Sequence, residues 1–103
     1  MEVININTIE VDQLMKELSN NHNLNIIDIR SNYQYQLNRI PTSQNIQTYL
    51  LESAPEKYLD KNKTYYIYCQ SGHTSKVLVD KLNRIGYKTV NINGGFNNYL
   101  LRK

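Results

Sequence analysis

The residues best suited to chemistry lie in one stretch, Tyr68-Cys69-Gln70-Ser71-Gly72-His73-Thr74-Ser75. Cys69 is the only cysteine of the chain, so it has no partner for an internal disulfide and no second thiolate for a cysteine-based zinc site. Two roles remain: a nucleophilic thiolate, or a small buried hydrophobe, which is the usual fate of a lone cysteine. The neighbours favour the first. An apolar run ends at Tyr68, and polar residues and Gly72 follow; glycine opens backbone angles closed to other residues. A short loop that curls into a helix start turns several N–H groups toward one point, and the helix dipole adds to this anion-binding nest. The expected cradle is built from the amides of Gln70, Ser71, Gly72, His73, Thr74 and Ser75, and it predicts a thiol that ionises more readily than usual. It also suits a persulfide, Cys–S–S⁻, whose charge needs electrostatic support and neither an acid nor a base.

The side chains around this stretch have structural and chemical readings. Thr74 or Ser75 is expected to cap the following helix, with a ligand contact in addition. Asp28 and Arg30, at the end of a strand, are expected at the same sheet edge as Cys69, paired with each other or with loop backbone rather than in direct catalysis. Lys76 is a possible supporting charge, with a solvated surface lysine as the alternative; Arg39 is similar. His73 is read as an exposed loop histidine rather than a general base. His22, in an Asn-rich turn, is assigned no role.

The elements that must position these groups follow from pattern. Leu24–Ile29 and Thr64–Tyr68 are near-continuous apolar runs rich in β-branched and aromatic residues, as in strands buried on both faces of a parallel sheet. Lys88–Ile92, ahead of the Asn93-Gly94-Gly95 turn, is a third strand; Glu2–Ile6 is a candidate edge strand and Gln44–Ile46 a very short one. Helical spacing of apolar residues predicts helices over Val11–Ser19 and Ser75–Ile85, with Gly86 placed for a left-handed C-terminal cap. Phe96–Leu101 reads as a short closing helix. Strands alternating with helices give an α/β layer fold with a mostly parallel central sheet flanked by helices. Ligands of such sheets bind beyond the carboxyl ends of the strands, where Cys69 falls.

The bulk numbers exclude several classes. A chain of 103 residues is enough for one domain, read as 1–103. At 40% hydrophobic and 20% charged residues the composition is that of a globular protein. The net charge of +3 comes from Lys and Arg spread along the chain rather than from a basic stripe, which argues against a nucleic-acid partner. The N-terminus does not read as a signal peptide and no run is long enough to span a membrane, so neither secretion nor a membrane partner is expected. With a single cysteine, the expectation is a reducing, cytoplasmic setting.

Four segments together resemble the rhodanese family over nearly the full chain. Asn25–Arg30 looks like its strand ending in Asp-x-Arg. Tyr35 and Ile40-Pro41-Thr42-Ser43-Gln44-Asn45-Ile46 look like its Tyr-x-x-Gly-His-Ile-Pro-Gly-Ala-x-Asn-Ile segment. Tyr68–Ser75 resembles the Tyr-Cys-x-x-Gly active-site loop, and Asn93-Gly94-Gly95-Phe96 the closing Gly-Gly-Phe motif, with Tyr99 where many members carry Trp. There are departures: Thr74 stands where many members have Arg, Gln34 replaces a frequent Glu, Asn38-Arg39 replaces Gly-His and Thr42-Ser43 replaces Gly-Ala.

The resemblance implies the rhodanese three-layer fold and double-displacement transfer of sulfane sulfur. A small anionic donor such as thiosulfate would load Cys69 and release sulfite, and a thiol, cyanide or a protein acceptor would unload it, with no metal or organic cofactor. The missing loop Arg weighs against efficient use of thiosulfate. Two rivals share the fold. A phosphatase would need a loop Arg to clamp phosphoryl oxygens, and none is present. The second rival is a sulfur carrier or regulatory module without efficient turnover; inactive relatives usually lose the cysteine that this chain keeps, so a carrier role is more credible than an inert one.

Overall fold

The structure is a computed structural model that describes residues 7–21 and 23–102. The candidate edge strand Glu2–Ile6 and His22 lie outside the described residues. Strand β1 (Thr8–Ile9) leads into helix α1 (Val11–Asn20); β2 (Asn25–Asp28) is followed by α2 (Asn32–Leu37), and β3 (Gln44–Asn45) by α3 (Thr48–Ser53) and a 3₁₀ turn at Pro55–Lys57. The second half runs β4 (Thr64–Tyr68), α4 (His73–Arg84), β5 (Lys88–Ile92) and α5 (Gly95–Arg102). The five strands form one sheet in the order β1-β5-β4-β2-β3, and each neighbouring pair is parallel. The site-bearing strand β4 is therefore central, which fits its unbroken apolar run.

Successive strand residues point to opposite faces, and the core divides accordingly. Ile27 on β2 and Tyr65, Ile67 and Cys69 along β4 pack with Leu51 of α3 and Leu78, Val79 and Leu82 of α4. Ile26, Tyr68 and Ile92 point the other way, onto Val11, Leu14 and Leu18 of α1 and Phe96 and Tyr99 of α5. The result is the expected α/β layering, with helices on both faces of the sheet.

Strands β4 and β5 occupy the residues predicted for them. Helix α4 begins two residues earlier than its apolar spacing indicates, at His73, because the loop rather than a capping side chain sets its start. Its other end is as expected: Gly86, at φ 98°, follows the last turn, Tyr87 N–H donates to Leu82 O and Gly86 N–H to Asn83 O, the bonding of a Schellman cap. The short helices α2 and α3 escape the sequence pattern. Helix α2 buries no side chain and α3 only Leu51, so neither carries a readable apolar stripe.

Thr42 has φ 69°, in the left-handed region that a β-branched residue rarely enters. Such a residue stores roughly 1–3 kcal/mol of strain. This is the position where the rhodanese pattern has Gly, so the departure noted in the sequence has a definite backbone cost.

Candidate active site

Cys69 follows β4 at its carboxyl end, facing the α3–α4 layer, and is 8% exposed. Its Sγ accepts the N–H of Gly72 at 3.1 Å and of Ser75 at 3.4 Å and lies 3.3 Å from Ser75 Oγ. Burial pushes this thiol's pKa up. The hydroxyl of Ser75 and the backbone amides of Ser75, Gly72 and Ser71 push it down and prevail, so the thiol ionises more readily than an ordinary cysteine.

The loop geometry corrects one expectation. Neither Thr74 nor Ser75 caps α4: the N-cap is Gly72, which has no side chain to do so. Ser75 is the third residue of the helix, and its N–H, which a capping oxygen would ordinarily take, goes to Cys69 Sγ. The sulfur itself closes the first turn. Gly72 makes this path possible, with φ 90° and a position where an added Cβ would lie 2.8 Å from Gly94 N.

The carbonyl side of the loop is also held. Phe96 N–H donates to Cys69 O at 2.9 Å and Asn97 N–H to Gln70 O at 3.0 Å, so the free amides at the start of α5 find acceptors in the loop. Gln70 further donates through Nε2 to Asn97 Oδ1 at 2.5 Å. Gln70 thus serves as an anchor to α5, while Ser71, His73 and Thr74 are exposed. Beside the loop, Thr48, Glu52, His73, Thr74, Val77, Leu78 and Lys81 line a groove of about 230 Å³ between α3 and α4.

The charged candidates sort clearly. Asp28 and Arg30 are both buried and pair at 2.8 Å. The Arg30 guanidinium also donates to Asn38 O at 2.5 Å and lies 4.0 Å above the Phe96 ring. Its one contact toward the loop is from Nη1 to Gln70 Oε1, at 3.4 Å. Lys76 points along α4 to Asp80, 3.1 Å away, so the structure does not bring its charge to the sulfur. Among the described residues no group of three or more His, Cys, Asp or Glu side chains gathers as a metal site, and no helix is long and apolar enough to cross a membrane.

One site residue was invisible in the sequence. Asn91, 2% exposed on β5, accepts the Ser75 hydroxyl at 2.5 Å and donates to Gly72 O at 3.4 Å. Its only signal was a polar residue between Val90 and Ile92 in a buried strand.

The comparisons with known proteins agree with this architecture. The family model of the rhodanese-like domain matches residues 10–102. The Bacillus subtilis (strain 168) protein named "Putative sulfurtransferase YtwF" is 33% identical over 92 residues, covering 87% of this chain and 86% of the relative. The crystal structure of SSP1007 from Staphylococcus saprophyticus superposes with a TM-score of 0.83 at 28% identity, covering 91% of this chain and 93% of that one. A rhodanese-like domain protein from Staphylococcus aureus gives 0.80 at 27% identity, with 91% of each chain covered. A buried cysteine closing a helix at the end of a central parallel strand thus occurs here on a matching fold and sequence: the chain belongs to the rhodanese-like domain family.

Proposed function

We propose that this protein is a rhodanese-type sulfurtransferase in which Cys69 carries sulfane sulfur as a persulfide. The observation that supports this best is the surroundings of the sulfur: Gly72 and Ser75 amides aimed at Sγ and, among the described residues, no acid or base hydrogen-bonded to it. Such a setting suits an atom that alternates between anionic forms without proton transfer. In the first half-reaction the Cys69 thiolate attacks the outer sulfur of a donor such as thiosulfate. An S–S bond forms, the donor's S–S bond breaks, and sulfite leaves with the electron pair. In the second, cyanide or an acceptor thiolate attacks the terminal sulfur of Cys–S–S⁻, giving thiocyanate or a new persulfide and restoring the thiolate. The N–H groups of Gly72 and Ser75 hold the charge of the Cys69 thiolate at the start and end of the cycle, and the 70–75 loop with the groove beside it receives donor and acceptor.

Mass spectrometry after incubation with thiosulfate or polysulfide tests the reading. Wild type is expected to gain one sulfur atom and Cys69→Ser none; no adduct from either donor would sink the proposal. Thr74→Arg, which supplies the charge that many family members carry, is expected to raise kcat/KM for thiosulfate by about tenfold, for a charge-assisted contact of about 1.5 kcal/mol. An unchanged value would place the donor elsewhere. The burial of Sγ favours one second reading, a carrier loaded by another protein, which would form the persulfide yet turn over cyanide slowly.

A further inference from the structure

Ser75 is fully buried, and its hydroxyl stands between two partners, Cys69 Sγ at 3.3 Å and Asn91 Oδ1 at 2.5 Å. A hydroxyl has one proton to give. The orientation of the Asn91 amide is set by Gly72, whose carbonyl accepts from Nδ2 at 3.4 Å. Turned over, the amide would put Oδ1 against that carbonyl, two acceptors face to face. Since an amide oxygen only accepts, the Ser75 proton goes to Asn91. The contact between Ser75 Oγ and the sulfur must then use the proton of the thiol. A thiolate has none, and it would meet oxygen lone pairs unless the hydroxyl turned toward it.

We propose that Asn91 is a positioning residue that holds the Ser75 hydroxyl away from Cys69, making Ser75 a one-proton switch. While the sulfur is protonated, S–H donates to Ser75 Oγ and Ser75 O–H to Asn91 Oδ1. When the thiol proton leaves to solvent, Ser75 keeps its own proton and redirects it to Sγ, and Asn91 Oδ1 loses its donor in a buried place. No covalent bond other than S–H changes. Asn91 therefore restrains the thiolate. In a persulfide the charge sits on the outer sulfur, so the hydroxyl can return to Asn91 and the loaded form escapes the restraint. That last consequence rests on the sulfur-transfer reading, whereas the switch rests on Cys69 alone.

The charged and titratable groups on the packed elements are Asp28 and Arg30 at the end of β2, Tyr49 and Glu52 on α3, Tyr65, Tyr66 and Tyr68 on β4, His73, Lys76, Asp80, Lys81 and Arg84 on α4, Lys88 on β5, and Tyr99 and Arg102 on α5. Among the described residues none of them hydrogen-bonds Sγ, whose partners are Gly72 and Ser75.

Alkylation by iodoacetamide across a pH series reads the thiolate without any sulfur donor, so its outcome is independent of whether transfer occurs. Asn91→Leu keeps the side chain's size and removes both amide contacts. It is expected to move the alkylation midpoint down by about one pH unit, the worth of one buried hydrogen bond. In a Ser75→Ala background the same substitution is expected to leave the midpoint where Ser75→Ala puts it. A midpoint that rises in Asn91→Leu, or a shift that survives in the double variant, overturns the proposal and leaves Asn91 as a prop for the loop. If Asn91→Leu does not fold, the carbon resonance of the Asn91 side-chain amide decides. It should titrate at the Cys69 midpoint in wild type and not in Ser75→Ala, and a wild-type resonance without that inflection overturns the switch.

Discussion

At Cys69 a single atom serves two structures: the sulfur proposed to carry the chemistry also accepts the Gly72 and Ser75 amides that open α4. Its ionisation is therefore linked to folding. The folded thiol's pKa lies below its ordinary value, because the Ser75 hydroxyl and the loop amides outweigh burial. Between those two values the unfolded chain binds more protons, so stability rises with pH through that window. The gain is complete above the unfolded value and absent below the folded one. Urea unfolding of wild type and Cys69→Ser at matched pH is expected to show wild type gaining on the variant through that window. A constant difference would mean that the amides do not favour the thiolate. The cysteine and Gly72 were legible as residue types; the sulfur's capping role was not. Thr74 and Ser75 are common capping residues, whereas a thiol becomes a cap only through the path of the chain around Gly72.

The loop depends on elements at both of its ends. Helix α4 starts where Gly72 turns at φ 90°, against the backbone of Gly94, and α5 starts on the carbonyls of Cys69 and Gln70. Gly72→Val puts a β-branched side chain into both constraints. It is expected to cost roughly 2 kcal/mol or more, read by urea unfolding, and to abolish persulfide accumulation in the folded fraction. Full retention of both would show that the loop does not need this turn. At this scale the sequence spoke unevenly. Central strands β4 and β5 were readable to the residue because they are buried on both sides. Helices α2 and α3 were not, because with one buried side chain between them, Leu51, they are held by the chain on either side rather than by their own pattern.

Across the whole molecule, a buried polar network crosses the sheet. Asp28 on β2 pairs with Arg30 and accepts the Tyr68 hydroxyl of β4 at 2.6 Å, and Tyr68 Oη in turn accepts Ile40 N–H at 3.1 Å. Burial and the Asp28 carboxylate hold the Tyr68 phenol protonated well above its usual range. Tyr68→Phe keeps the ring and strips the network. The Ile40 amide would lose its partner at about 1–3 kcal/mol, and Asp28 Oδ2 would keep only its Arg30 donors. A loss of about 1–3 kcal/mol in urea unfolding is therefore expected, with cyanide turnover in the folded protein largely kept. An unchanged midpoint would show the network to be dispensable. The pairing of Asp28 with Arg30 was foreseen from their places at a strand end. Its reach to Tyr68 and Ile40 was not, because those partners meet only once β2, β4 and the segment before β3 are assembled.

The two amides of Phe96 and Asn97 that hold the loop carbonyls come from the last helix, and this gives the protein a chronology. Synthesis runs from the N-terminal end, so Cys69 emerges before the residues that brace it. A half-made chain lacks these two donors to the loop carbonyls. On the proposed reading, the loop is fully braced only once the segment through α5 has been made.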